Sequence, residues 1–225
     1  MARVRAVIFD LDDTLYAEQS FVFSGYRAVA EAFRTQFGDP DETVAELTRI
    51  FHSQDRRLAF NALFELRGRP ADREVVQAMI DLYRSHPPTI SLYDDAEAAL
   101  TRLRTRFKIG IITDGAAVMQ EAKVAALGLR TRVDVVVLTD ELGPGFGKPH
   151  PRAFELMADR LAIDPTACVY IGDNAAKDFV APNALGWMTV RIVRAQGVYR
   201  DTAAQGGGVP QDIVHSLDEI DAILT

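Results

Sequence analysis

The sequence predicts an α/β protein that is built on a parallel β-sheet and interrupted by an all-helical insertion. From residue 94 onward, short apolar segments alternate with amphipathic helical patterns, an order typical of β-α-β units. Residues 16–89 instead contain helical patterns almost throughout. The apolar run at residues 5–9 can join the later strands only if this block is an insertion. We therefore predict a core domain of residues 1–15 and 90–225 and an inserted helical domain of residues 16–89.

The first predicted elements are one buried strand and a series of helices. The run from Arg5 to Phe9 is short and mostly apolar, which suits a central strand that is buried on both faces. In the inserted block, Phe21 begins a pattern of phenylalanine, valine or glycine at every fourth position, which predicts a helix through Phe37 that ends at Gly38. Shorter helical patterns follow at residues 44–51, 58–66 and 72–83, so this block can build a small core of its own.

The later elements alternate between helix and strand. Asp94 and Glu97 resemble a capping box that opens a helix to about residue 106, and Gly128 is placed to close the second helix of this region. Pro151 suits the start of another helix, since its backbone angle is preset. The predicted elements are strand 108–113, helix 116–127, strand 133–138, helix 152–161, strand 168–172, a helix from about 177, strand 188–193 and helix 216–224.

Composition and charge exclude several classes of protein. With 225 residues and 48% hydrophobic content, the chain can bury a full core, which excludes disorder. The formal net charge of −7 argues against nucleic acid or an anionic membrane as a partner, because both bind basic surfaces. Cys168 is the single cysteine and lies in an apolar run, so we expect it in the core of a protein from a reducing compartment. Without a leader pattern or a long apolar span, the sequence predicts a cytoplasmic protein.

Asp10 and Asp12 come directly after the first predicted strand. Open α/β sheets bind ligands at the carboxyl ends of their strands. Carboxylates at this edge can bind a hard cation such as Mg²⁺, while one of them acts as a nucleophile. Acidic residues that merely cap a turn are the commoner explanation of an isolated pair of this kind. The remaining strand ends decide between the two interpretations.

Three later strand ends also carry polar residues, and each has an ordinary explanation when it is taken alone. Thr113 and Gly115 could bind a phosphate at a helix N-terminus, or Thr113 could cap that helix. Lys148 follows the third strand of the core and could be a solvated lysine, and the acids after the fourth strand could begin a helix. Those acids are Asp173 and Asp178. If all these carboxylates meet at one sheet edge, a divalent cation or Lys148 must offset their repulsion.

In this order, the motifs resemble those of the haloacid dehalogenase (HAD) superfamily, in particular its branch of small-molecule phosphatases. The matching residues are Asp10, Asp12, Thr14, Thr113, Lys148, Gly172, Asp173 and Asp178, and the resemblance spans nearly the whole chain. It implies a Rossmann-like core with the helical block as a C1 cap. The dehalogenases of this superfamily lack the acid at the position of Asp12, so its presence points to phosphoryl chemistry. Asp114 stands where many relatives carry asparagine.

The resemblance also implies a role for each of these residues. Asp10 would be the nucleophile that forms an aspartyl phosphate, and Asp12 would be the general acid and base, with its pKa raised by its surroundings. Mg²⁺ would be held by Asp10, the backbone carbonyl of Asp12, Asp173 and Asp178. The phosphate-binding set would be Thr113, Asp114, Gly115 and Lys148.

The implied substrate is a small phosphorylated metabolite, such as a sugar phosphate or a nucleoside monophosphate, and the protein would be a monomer or homodimer. A phosphomutase, a dehalogenase and a catalytically silent binding protein remain alternatives. Tyr16, Phe21, Arg56 and Arg57 are candidate substrate contacts in the cap. For the two aromatic residues a place in the cap core is favoured, and for the two arginines a solvated face. The histidines, including His150 at a predicted helix start, show no metal-ligand spacing.

Overall fold

The computed structural model describes residues 3–53 and 58–224. The chain divides into two compact units, one made of Met1–Glu18 with Ser91–Thr225 and the other of Gln19–Ile90. Arg56 and Arg57, two of the candidate substrate contacts, lie outside the described residues. The first unit contains the sheet, and the described part of the second unit is helical.

The first unit is built on a six-stranded sheet in which all neighbouring strands are parallel. Its strands are β1 (Ala6–Phe9), β2 (Lys108–Thr113), β3 (Val135–Leu138), β4 (Cys168–Gly172), β5 (Met188–Ile192) and β6 (Asp212–Val214). They lie side by side in the order β3-β2-β1-β4-β5-β6. The predicted α/β fold with a Rossmann-like parallel sheet is therefore confirmed.

The centre of the sheet lies at β1, whose four residues are fully buried as the apolar run predicts. Phe9 is paired in register with Ile111 on one side and with Ile171 on the other. The strand order changes direction here, because the chain passes from β1 to β2 on one side and β4 lies on the other. In open α/β sheets this switch point is where the crevice for a ligand forms.

The Gln19–Ile90 unit has its own aromatic core. Its helices are α1 (Glu18–Ala32), α2 (Arg34–Phe37), α3 (Pro40–Ser53), α4 (Ala59–Leu66) and α5 (Arg73–Ser85). The rings of Phe37 and Phe64 meet edge to face with centroids 5.1 Å apart. Phe21 is buried and packs 5.6 Å from Tyr83 of the same unit. The single helix predicted from Phe21 to Phe37 is interrupted at Phe33.

In the described part of the chain, further helices surround the sheet: α6 (Asp94–Leu103), α7 (Ala117–Ala126), α8 (Arg152–Leu161), α9 (Val180–Ala184) and α10 (Ile220–Ile223). Phe154 of α8 packs 5.0 Å from Tyr170 and 5.6 Å from Trp187, and all three side chains are fully buried. Cys168 is buried at the start of β4, as predicted. Gly128 adopts the left-handed conformation after α7, as its predicted closing role requires.

Two local predictions for this unit are wrong, and one strand was not predicted. Asp94 does not cap α6, because Tyr93 occupies the N-cap and Asp94 lies in the first turn, where its charge suits the helix dipole. The final helix is shorter than predicted, since a 3-10 turn at Leu217–Glu219 precedes α10. The edge strand β6 was not predicted, because it has three residues and two of them are exposed.

Candidate active site

The carboxyl ends of β1 and β4 bring three acidic side chains together. The backbone N–H of Asp10 donates to the carbonyl of Ile171 at 2.8 Å, which holds the end of β1 beside the end of β4. One carboxylate oxygen from each of Asp10, Asp173 and Asp178 lies within 4.8 Å of the others. All three side chains are buried. This spacing and burial suit oxygen ligands of a divalent cation.

The close approach of Asp178 depends on Gly172 at the end of β4. A Cβ at residue 172 would lie 2.5 Å from Oδ2 of Asp178, so close that the carboxylate would have to move. The same Oδ2 accepts a hydrogen bond from the backbone N–H of Asn174 at 2.8 Å. The missing side chain at residue 172 therefore lets Asp178 lie against the strand end and reach the other two acids.

Lys148 lies among these acids and neutralises part of their charge. Its Nζ lies 2.7 Å from Oδ1 of Asp10 and 2.8 Å from Oδ1 of Asp178, and it donates to the hydroxyl of Tyr170 at 2.9 Å. Burial lowers the pKa of Lys148, but the two carboxylates outweigh this and hold the pKa well above its usual range. Lys148 therefore contacts two of the three buried acids, and the charge of Lys177 adds a smaller attraction to Asp10.

The remaining charge imbalance falls on Asp173 and Asp10. Within residues 3–53 and 58–224, Oδ2 of Asp173 is buried and has no hydrogen-bond partner. Burial, with the neighbouring charges of Asp10 and Asp178, raises the pKa of Asp173 well above its usual range. Burial also raises the pKa of Asp10, to about 7, although Lys148 opposes this rise. An unpartnered oxygen among three buried acids fits a divalent cation, which would supply the missing positive charge.

Asp12 lies in different surroundings. Its Oδ1 accepts hydrogen bonds from the hydroxyl of Tyr16 and from Nζ of Lys123, the latter at 2.7 Å. Its Oδ2 accepts from Nε2 of Gln120 at 2.9 Å. Burial raises the pKa of Asp12, but Lys123 and these hydrogen bonds outweigh it, so the pKa lies below its ordinary value. The expectation that the site raises the pKa of Asp12 is therefore wrong, because the lysine beside it was not foreseen.

Tyr16 was predicted as a candidate substrate contact in the helical insertion, but it belongs to the unit that contains the sheet. Its ring is fully buried, and its hydroxyl donates to Asp12. The neighbouring Asp13 links the first residue of α1 to a later loop, since its carboxylate accepts from the backbone N–H groups of Glu18 at 2.8 Å and Val198 at 2.7 Å. Neither the contact of Tyr16 with Asp12 nor the contacts of Asp13 can be recognised from the local pattern of the sequence.

At the end of β2, Thr113 is buried and its Oγ1 accepts a hydrogen bond from Nε2 of Gln120 at 2.6 Å. The backbone at Gly115 has a φ of 127°, a conformation that favours glycine. Ala116, which has no polar side chain, is the N-cap of α7. Thr113 is therefore not the cap of this helix.

Asp114 organises the loops around the predicted phosphate site. Its Oδ1 accepts from Oγ1 of Thr139 at 2.8 Å and from the backbone N–H of Lys148 at 3.1 Å. Its Oδ2 lies 2.8 Å from Nζ of Lys177. Burial raises the pKa of Asp114, but the charges of Lys148 and Lys177 outweigh it and leave the pKa below its usual value. A charged carboxylate has no hydrogen to donate to a phosphate, so this side chain positions the Lys148 loop.

A small cavity of about 150 Å³ opens between these groups. Its lining includes Asp10, Asp12, Lys123, Asp173, Lys177 and Tyr199. Since one water occupies about 30 Å³ of liquid, the space matches a group of a few heavy atoms, such as a phosphoryl group. A larger cleft of about 810 Å³, which includes Arg5 and Lys108 in its lining, lies where β1 and β2 begin. None of the predicted site residues lines that cleft.

Sequence reasoning missed the cations and amide that surround the predicted residues, namely Gln120, Lys123 and Lys177. Gln120 and Lys123 are three residues apart on α7, which starts at the ligand edge of the sheet, so they share one helix face. Long polar side chains on one face of such a helix were the available signal.

In the part of the chain that the structure describes, no helix is both long and apolar enough to cross a membrane.

Comparison with known proteins gives consistent findings. A family model of the haloacid dehalogenase-like hydrolases matches residues 4–186. A glyceraldehyde 3-phosphate phosphatase of Methanopyrus kandleri is 32% identical over 206 residues, which cover 88% of this chain and 87% of that protein. A phosphoglycolate phosphatase of Xanthomonas campestris is 30% identical over 188 residues, or 83% of this chain and 81% of that protein.

Among solved structures, the HAD-hydrolase YfnB of Bacillus subtilis, solved bound to magnesium, has the same fold. Its TM-score is 0.70 at 21% identity, and the match covers 100% of both chains.

Proposed function

The chain belongs to the haloacid dehalogenase-like hydrolases, and from this premise we propose that it is a phosphatase that hydrolyses a small phosphorylated metabolite. The observation that carries the proposal is Asp12, a second acid two residues after Asp10 at the same strand end. A leaving oxygen and an attacking water both need such a proton-transfer group. The relatives named as phosphatases of glyceraldehyde 3-phosphate and phosphoglycolate support a small substrate of this kind.

In the proposed reaction, a carboxylate oxygen of Asp10 attacks phosphorus, and the bond from phosphorus to the leaving oxygen breaks. Asp12 gives its proton to that oxygen, so an alcohol leaves and an aspartyl phosphate remains. Water then attacks the phosphorus of this intermediate and gives a proton to Asp12. The bond to Asp10 breaks, which releases phosphate and restores the free carboxylate.

The acid step requires that Asp12 first takes up a proton. Lys123, at 2.7 Å, favours the charged carboxylate in the described arrangement. A bound phosphoryl group adds negative charge beside Asp12 and raises its pKa, which favours the protonated form in the complex. After the alcohol has left, Asp12 is again a carboxylate and can act as the base for water.

We propose that Mg²⁺ is held by Asp10, the backbone carbonyl of Asp12, Asp173 and Asp178. When bound, Mg²⁺ neutralises negative charge on the transferring group. Asp173 suits this role because its Oδ2 is buried without a partner among the described residues. Asp178 has one oxygen beside Lys148 and one on the backbone N–H of Asn174, so it would join directly or through water.

The phosphoryl oxygens would be held by Thr113, the backbone N–H of Gly115 and Lys148. Lys148 already lies 2.7 Å from Asp10, so it would contact the phosphoryl group as the bond to Asp10 forms. Asp114 would contribute by holding the backbone N–H of Lys148 and the ammonium of Lys177 in place. Preorganised cations stabilise transferring charge without reorganisation during the reaction.

We further propose that the helical Gln19–Ile90 unit serves as a cap of the C1 type, which contacts the leaving group and excludes water during the first step. A phosphomutase would use the same Asp10 and Asp12 but would transfer the phosphoryl group from Asp10 to a hydroxyl of a sugar phosphate instead of to water. Measuring free phosphate against transferred phosphate distinguishes the two reactions.

The purified protein tests the proposal with p-nitrophenyl phosphate and a panel of phosphorylated metabolites that includes glyceraldehyde 3-phosphate and phosphoglycolate. We expect release of phosphate that depends on Mg²⁺. Asp134→Asn alters an acid that pairs with Lys108 at 2.7 Å, away from the site, and is the control expected to keep full activity. Absence of phosphate release from every compound of the panel would favour a binding protein on this fold.

A further inference from the structure

The proposed reaction assigns a role to Asp12 but none to the groups that hold it. In the described part of the chain, its Oδ1 accepts two hydrogen bonds, from Tyr16 and from Lys123. Its Oδ2 accepts one, from Gln120 at 2.9 Å. The two oxygens of this carboxylate are therefore not equivalent.

The two donors to Oδ1 are deeply buried. Tyr16 is 0% exposed and Lys123 is 2% exposed, although lysine is among the residues that are least often buried. The ammonium of Lys123 also lies 5.9 Å from the centre of the Tyr16 ring. Burying an ammonium costs several kcal/mol unless a charged partner offsets it. The partner here is the carboxylate that would carry the proton of the reaction.

Counting acceptor positions then identifies the reacting oxygen. Each carboxylate oxygen offers about two hydrogen-bond positions. Both positions of Oδ1 are filled by Tyr16 and Lys123, whereas Oδ2 keeps one position beside its bond from Gln120. Asp12 keeps 22% of its side chain exposed and lines the small cavity. The open position on Oδ2 is therefore the one left for a substrate oxygen or a water.

We propose that Lys123 and Tyr16 are positioning residues, which anchor Asp12 through Oδ1 so that Oδ2 exchanges the proton with the leaving oxygen and with water. This inference rests on the proposed phosphatase function. Neither residue is assigned a contact with the substrate. Their loss should allow Asp12 to rotate away, which slows proton transfer and leaves substrate binding intact.

The chain offers a matched control for this inference. Lys108 pairs with Asp134 at 2.7 Å, the same separation as between Lys123 and Asp12. The side chain of Lys108 is 58% exposed, and it lines the larger cleft where β1 and β2 begin. Lys108→Met therefore removes a lysine from an ion pair of the same length, but exposed and far from the candidate site.

The experiment compares Lys123→Met, Lys123→Arg and Lys108→Met in the full chain. Rapid-quench kinetics follow phosphoenzyme formation from p-nitrophenyl phosphate and from the best alkyl phosphate of the panel. For Lys123→Met we expect a loss of about 100-fold with the alkyl ester and less than about 10-fold with the nitrophenyl ester, whose leaving group needs little protonation. The KM from steady-state kinetics and the affinity for Mg²⁺ from calorimetry should both stay within about twofold of the wild-type values. The reason is that the lost interaction serves proton transfer and not binding. Lys123→Arg should recover part of the rate, and Lys108→Met should match the wild type.

Several results would overturn the inference. These are equal losses for the two esters, a higher KM at unchanged kcat, or a weaker affinity for Mg²⁺. If Lys123→Met does not fold, Tyr16→Phe removes the other donor to Oδ1 with little change in shape and should show the same selectivity at smaller magnitude. A wild-type protein that releases no phosphate would end the proposed function itself, whereas an active wild type with unselective variants would end the positioning role alone.

Discussion

Asp10 and Asp12 are separated by one residue and lie in opposite electrostatic surroundings. Asp10 lies among buried acids, with Lys148 between two of them, and burial raises its pKa to about 7 against the effect of Lys148. Asp12 also meets a pKa-raising effect of burial, but Lys123 and neighbouring donors outweigh it. A nucleophile needs an ionised carboxylate and a general acid a protonated one, so these pKa directions are the reverse of what the two proposed roles need. A cation bound beside Asp10 would lower the pKa of Asp10, and a phosphoryl group beside Asp12 would raise the pKa of Asp12.

The comparison shows that the balance of charge differs between the two positions. The three acids of the cluster that contains Asp10 outnumber the lysines that act on it, Lys148 and Lys177, and a divalent cation would supply the missing positive charge. The surroundings of Asp12 already contain a buried lysine and two neutral donors, so Asp12 needs no cation of its own. We infer that the first position is built for a metal and a nucleophile, and the second for a proton.

The largest expected effect comes from Asp10→Asn. The amide keeps the shape of the side chain and cannot attack phosphorus, so turnover should fall below about 1% of the wild-type rate. Steady-state phosphate release measures the loss, and a thermal melt checks that the variant is folded. Retention of more than a few percent of the rate would remove Asp10 as the nucleophile.

Removal of divalent ions should have an effect nearly as large. A chelator should abolish activity, because the buried acids around Asp10 then lack the charge that offsets their repulsion. Mg²⁺ should restore the rate and Ca²⁺ should do so poorly, since its larger and more flexible coordination shell changes the geometry. Full activity in the presence of the chelator would end the metal proposal.

Asp12→Ala should slow both halves of the reaction by about 100-fold or more, with a dependence on the leaving group in the first half only. Phosphoenzyme formation from p-nitrophenyl phosphate should lose less than formation from an alkyl phosphate. Dephosphorylation should be slowed equally after either ester, because the intermediate is the same. Rapid-quench measurement separates the steps, and equal first-step losses would mean that another group carries the proton.

Gly172→Ala tests the acidic cluster without changing a charge. The new Cβ would lie 2.5 Å from Oδ2 of Asp178, so this carboxylate must shift and the Mg²⁺ concentration for half-maximal rate should rise about 10-fold or more. Gly110→Ala is the matched control, because its Cβ would lie 2.6 Å from the sulfur of Met157, away from the acids. Gly110→Ala should lower the free energy of unfolding by up to about 3 kcal/mol and leave the Mg²⁺ requirement unchanged.

The smallest expected effect is a dependence of stability on pH in the metal-free protein. The folded-state pKa of Asp173 is raised, so its contribution to stability is fully present below its unfolded pKa and is lost as pH rises. Asp173→Asn removes this loss. In chelator, the melting temperature of the wild type should therefore fall relative to that of the variant as pH rises above about 4, the ordinary pKa of an unfolded aspartate, and excess Mg²⁺ should reverse the order. A difference that stays constant as pH rises would contradict the charge imbalance.

The sequence predicted most of the strands of the sheet and the polar residues that follow them. Strands 108–113 and 168–172 and helix 152–161 were predicted with the bounds that the structure has. The residues of each element form a continuous pattern: an apolar run in the two buried strands and an amphipathic helical pattern in the helix. Short or interrupted elements were harder to predict, such as β6 with its three residues and the helix that breaks at Phe33.

By itself, the sequence determined which chemical groups stand at the strand ends, because parallel strands place their carboxyl ends at one edge. It therefore predicted Asp10, Asp12, Thr113, Lys148, Asp173 and Asp178 as one group of candidates. Only the tertiary structure decided the surroundings of each group. Lys123 lies 111 residues from Asp12 in the chain, and Lys148 lies 138 residues from Asp10. The pKa of a buried acid depends on such distant neighbours, which no local pattern contains, and this is why the predicted direction for Asp12 was wrong.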